Sequence, residues 1–179
     1  MQARHGHVLR LAFVLGVLLA SGGIAATSQE RPALPPAVNR LVERAVLFVR
    51  AQHPKWLAEP VQPWLPKPAV QYGWRAALPM SPQAPFALVL YIEQAASTSA
   101  AQQFLSKSWM KIPVSMSPLD ELKRRGWIDD GFGPSEGKTG TIMFIRGRMV
   151  VQINGPPEVS RPLAGHLAQY LFETADAGT

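Results

Sequence analysis

Val38, Leu41, Val42, Ala45, Val46 and Val49 recur at intervals of three and four residues, with Arg40, Arg44 and Arg50 mostly on the opposite side. That period predicts an amphipathic helix over 37–53, with Pro36 suited to its first turn and Pro54 stopping it. The pattern then breaks. Pro54, Pro60, Pro63, Pro66 and Pro68 interrupt 54–68 and leave Trp56 and Trp64 between them. Such a stretch is extended, lies along the body of the protein and cannot form a central strand.

From residue 70 the period changes to two. Val70, Tyr72, Trp74 and Ala76 alternate with Gln71, Gly73, Arg75 and Ala77, which predicts a half-buried strand. Residues 86–92 (FALVLYI) are apolar on both faces, as the centre of a sheet requires. Ala101, Phe104, Leu105, Ser108, Trp109 and Ile112 then mark one side of a helix that Pro113 ends. Trp74 and Trp109 fall on apolar faces and are expected in the core.

Ser117-Pro118-Leu119-Asp120 carries a capping serine, a proline for the first helical position and an acid three residues on. A short helix is expected from there to Gly126, which terminates it, with Lys123, Arg124 and Arg125 complementing its carboxyl end. The glycine-rich stretch from there to Gly140 reads as a long loop. Over 141–153, TIMFI and MVVQI flank Arg146-Gly147-Arg148 and predict a hairpin in which Gly147 takes a positive φ and both arginines are solvated. Leu163, Leu167, Ala168, Leu171 and Phe172 define a closing helix to about residue 174.

The expected fold class is therefore α+β: a small antiparallel sheet of about four strands with helices packed mainly on one face. Residues 37–176 form one such domain, including the proline-rich segment 54–68. Residues 140–156 (GTIMFIRGRMVVQINGP), followed by an amphipathic helix, resemble the aromatic-x-Arg-Gly-x-x-Val-Val hairpin of certain exported bacterial α+β domains. With the strand–helix unit over 86–109, the likeness covers about half of the chain after residue 26. It implies an α+β fold and brings no shared activity.

The first 26 residues read differently. Arg4 and Arg10 precede LAFVLGVLLA, and Ser21, Gly22, Gly23, Ala25 and Ala26 follow it. A basic head, an apolar middle and a small-residue tail predict a signal peptide, with 27–36 as a flexible lead-in. The uncharged run is short for a membrane span, which needs roughly 20 residues, so no stable span is expected after cleavage. The expected location is the periplasm or the extracellular space.

Composition narrows the chemistry. With no cysteine among 179 residues, disulfides, thiolate metal sites and thiol nucleophiles are excluded. Loss of the leader removes two of the 18 basic residues and none of the 12 acidic ones, so the +6 charge falls to +4. That excess is modest and spread along the chain, which argues against nucleic acid and for an acidic polymer, lipid headgroup or protein in the cell envelope. The run Gly131-Phe132-Gly133-Pro134-Ser135-Glu136-Gly137-Lys138-Thr139 lacks the glycine spacing of a phosphate loop, and Pro134 removes an amide that would bind phosphate, so no nucleotide is expected. Asp129 and Asp130 do not have the alternation of a calcium loop, and neither a metal nor a cofactor is expected.

Only His53 and His166 follow the leader, and no serine lies in a G-x-S-x-G elbow. No catalytic residue is assigned. The sequence favours an exported, non-catalytic accessory or binding domain, and the alternative is a small hydrolase with its site around His166. The candidate contact residues are Lys123, Arg124, Arg125, Trp127, Asp129 and Asp130: cations and an aromatic where a short helix meets a long loop.

Overall fold

The computed structural model describes residues 34–58, 62–64, 69–75, 87–111, 116–135, 138 and 140–176. These all fall within one compact unit, Arg31–Thr179. The expected signal peptide, most of the lead-in, and the side chains of Trp64 and Trp74 lie outside the description.

Among the described residues the elements run α1 (Pro36–Gln52), β1 (Leu57–Ala58), β2 (Gln62–Trp64), β3 (Ala69–Arg75), β4 (Leu88–Gln94), α2 (Thr98–Trp109), β5 (Met116–Pro118), α3 (Asp120–Arg124), β6 (Asp130–Pro134), β7 (Gly140–Arg146), β8 (Met149–Gly155) and α4 (Pro157–Asp176). The strands form one antiparallel sheet in the order β1-β3-β4-β8-β7-β6-β5, with β2 also on β3. The α+β class holds, and the sheet is larger than about four strands. The extra strands are the short ones. Pro63 of β2 sits opposite Val70, on an outer strand where a missing amide costs no ladder bond.

One face of the sheet carries α1 and α4, which also pack on each other. Val38, Leu41, Val42, Ala45 and Val49 of α1 meet Val70, Leu90, Ile92, Val151 and Ile153 from the strands and Leu163, Leu167 and Ala168 from α4. The other face is not bare. There α2 sets Ala101 and Leu105 against Phe132, Met143, Ile145 and Val150 in a second, smaller core. Helices therefore cover both faces, because β7 is apolar on both: Ile142 and Phe144 point to one side, Met143 and Ile145 to the other. Trp109 is not core. It ends α2 with 39% of its surface exposed and its ring edge-on to Phe132.

Two expectations fail at α3 and after it. The helix begins at Asp120, without a side-chain cap, because Ser117 and Pro118 are in β5 and pair with Gly133 and Phe132. The long glycine-rich loop contains β6, which pairs with β7 as Gly131↔Phe144 and Phe132↔Met143. Gly131 serves close approach here: a Cβ there would stand 2.7 Å from the Phe144 Cβ and 2.8 Å from the Met143 carbonyl. Phe132 fills the opposite face and is fully buried. Loop-like composition thus spells a strand that is narrow on one side and wide on the other.

The closing helix starts at Pro157, six residues before Leu163, and carries Pro162 inside it. Pro157 needs no amide partner in the first turn. Pro162 lies on the exposed side, where the carbonyl it leaves unpaired meets water. No helix among the described residues is long and apolar enough to cross a membrane.

Two glycines separate these effects. Gly131→Ala forces backbone or Phe144 to move and should destabilise by about 1–3 kcal/mol. Gly165→Ala, in a helix with open space where the Cβ would go, should be neutral or stabilise by about 0.5–1 kcal/mol. Urea unfolding of both variants checks the pair, and equal effects would displace β6 from its register.

Candidate functional site

The five-residue helix α3 ends where Gly126, at φ +70°, turns the chain. The Gly126 amide donates to the Lys123 carbonyl and the Trp127 amide to the Leu122 carbonyl, which closes the helix end with backbone groups. The three cations do other work. Arg125 donates through Nε to Glu121 at 2.8 Å, and Arg124 donates through Nη2 to the other Glu121 oxygen at 2.8 Å. Lys123 Nζ donates to Asp130 at 3.1 Å. The hydrogen bond from Arg125, together with the charges of Arg125 and Arg124, holds the Glu121 carboxyl below its ordinary pKa.

Each of these cations is thus ion-paired within the chain. The pairs are exposed all the same: the side chains of Lys123, Arg124 and Arg125 are 54%, 76% and 52% accessible. Asp120, Lys123 and Arg124 border a shallow depression of about 600 Å³. Beside them the Arg125 guanidinium lies 4.8 Å from the centre of the Trp127 ring, whose other side packs on the main core. Lys123, Arg124, Arg125, Trp127 and Asp130 therefore come together around α3.

Asp129 faces away to a different task. Its carboxylate accepts from the Gly147 amide at 2.6 Å and from Arg146 Nη1 at 3.1 Å, clamping the β7–β8 turn. Gly147, at φ +55°, is the turn's positive-φ residue, as expected. Arg146 and Arg148 are not simply solvated. Arg146 also lies 5.5 Å from the Phe172 ring centre, and Arg148 Nε donates to the Ala95 carbonyl at 2.9 Å. The spacing of Glu121 to Arg124 and Arg125, three and four residues on a helix, was a readable signal for that network. Nothing local marked Asp129 as the partner of a turn 18 residues away.

His53 and His166 are stacked on aromatic rings. His166 lies parallel to Phe48, 4.8 Å between centroids, where α4 meets α1. His53 lies on Trp56 at 4.2 Å and helps hold the first part of the proline-rich segment against the body. Among the described residues no hydroxyl or carboxylate hydrogen-bonds to His166, the geometry a hydrolase site there would need. Burial lowers the His166 pKa, the Arg44 charge adds to this, and Glu173 opposes it. No group of three or more potential ligands among the described residues is placed to hold a metal.

Comparison of this chain with protein-family models, curated proteins and solved structures finds no match.

Two measurements test these assignments. Asp129→Ala leaves the Gly147 amide and Arg146 without their acceptor and should cost about 1.5–3 kcal/mol, with Arg146→Ala costing roughly half as much. Urea midpoints that match the wild type for both would free the turn from Asp129. For His166, folding lowers the pKa, so the unfolded chain binds more protons within the window just below the ordinary imidazole value. Stability should fall as pH falls through that window, and melting His166→Phe between pH 7.5 and 5 should show a flatter profile than the wild type.

Proposed function

We propose that this chain is an exported, non-catalytic accessory or binding domain, working in the periplasm or outside the cell, that engages an acidic partner through the surface around α3. The observation that carries the reading is the exposure of Lys123, Arg124 and Arg125 beside Trp127 at the rim of a depression. Exposed ion pairs are worth only about 0–1 kcal/mol, so an incoming carboxylate or phosphate displaces Glu121 or Asp130 at little cost. The cations set the encounter rate and orientation, and the indole edge supplies area that does not depend on salt. Export rests on the basic head, apolar run and small-residue tail of the first 26 residues.

The test uses two anionic probes, phosphatidylglycerol vesicles and polyglutamate, with the chain lacking its leader. Wild-type protein should bind at least one of them at low salt and release as salt is raised. A Lys123→Ala, Arg124→Ala, Arg125→Ala variant should bind about tenfold more weakly while melting within a few degrees of the wild type. Unchanged affinity of that folded variant, or no wild-type binding to either probe, would return these residues to a purely structural role.

A further inference from the structure

Leu119 and Leu122 of the α3 segment, Ile142 of β7, and Arg161 and Ala164 of α4 line a half-open cavity of about 300 Å³, which Asp120 and Glu121 border from α3. Its walls are mostly apolar. Its one cation is Arg161, whose Nη2 donates to the Pro134 carbonyl. The Arg161 Nε is buried without an acceptor, and no carboxylate among the described residues pairs with the guanidinium. This is unlike the other arginines described above: the exposed Arg124 and Arg125 share Glu121, and the half-buried Arg146 holds Asp129. A guanidinium offers five N–H donors, and one fixed to a single backbone carbonyl in a partly buried site keeps most of its capacity for an anion.

We infer that this cavity is a binding site for a small carboxylate with a short apolar tail, the carboxylate on Arg161 and the tail against Leu119, Leu122 and Ile142. The two acids on the lining do not oppose this. Glu121 is neutralised by two arginines, and Asp120 sits on the exposed rim that it shares with Lys123 and Arg124. The volume suits a ligand of about eight to twelve heavy atoms, within the lower range of small-molecule sites. The carboxylate belongs either to a free acid or to the last residue of a peptide, and both present the same group to Arg161. The site does not need the acidic partner proposed for the exposed cations, of which Arg124 and Arg125 enter only by neutralising Glu121.

The experiment titrates the nitrogen-15-labelled chain, without its leader, with 4-methylpentanoate and with N-acetyl-leucine, following backbone amides and the arginine Nε–H signals. Saturable shifts around Leu119, Ile142 and Ala164, and of the Arg161 Nε–H, are expected with one or both acids. A response to the free acid alone assigns a free carboxylate, and one to N-acetyl-leucine assigns a chain terminus. The matching amides, 4-methylpentanamide and N-acetyl-leucinamide, should bind at least tenfold more weakly. Arg161→Gln should weaken binding at least tenfold. Because that change also removes the Pro134 contact, Ala164→Leu serves as a second variant that fills the cavity and leaves Arg161 in place. Amides that bind as well as the acids, or the absence of any saturable shift in the wild type, would overturn the site. Neither result depends on the triple alanine variant, so this inference and the surface reading fail separately.

Discussion

The antiparallel seam between β4 and β8 holds the two halves of this chain together. Six residue pairs, from Val89↔Asn154 to Gln94↔Met149, join strands that are about 60 residues apart in sequence. Leu90, Ile92, Val151 and Ile153 from this seam are fully buried under α1 and α4. Burying each such side chain contributes about 1.5–3 kcal/mol, against the loop-closure entropy of a contact made across so much chain. Every other strand builds outward from here: β3, with β1 and β2, on one flank, and β7, β6 and β5 on the other.

That seam explains why both faces of the sheet are covered. Once β8 lies beside β4, β7 is enclosed by strands on both edges, and its apolar residues on both faces must be buried. The helices α1 and α4 answer on one side and α2 on the other. β6 completes the second core with Phe132 and permits close packing on the first through Gly131. The same arrangement brings Asp129 to the β7–β8 turn, and Leu122 of α3 packs against the main core.

Charge follows the same logic. Around α3, Lys123 pairs with Asp130 while Arg124 and Arg125 share Glu121, and the Arg146–Asp129 pair adds no net charge. A surface of paired charges presents little bulk positive field. Arg161 is the exception: it donates to the Pro134 carbonyl and lines a mostly apolar cavity, and no carboxylate among the described residues is ion-paired with it.

The periodic segments were legible without coordinates. The first helix, the hairpin with Gly147 at its turn and the closing helix follow from spacing, and the central strand, expected over 86–92 and found at Leu88–Gln94, from an unbroken apolar run. The α+β class follows from their order. Tertiary structure decided the remainder. Gly131, Phe132 and Gly133 have the composition of a loop, and only the approach of Phe144 makes them a strand. The apolar spacing of the closing helix is legible only from Leu163, yet the helix begins at Pro157 and carries Pro162 on its exposed side. Trp109 has the spacing of a core residue and lies at an edge. Asp129 and Arg161 gain their partners from strands far away in sequence. Local pattern dictates which face of an element is apolar, and long-range packing determines what each face and each charge meets.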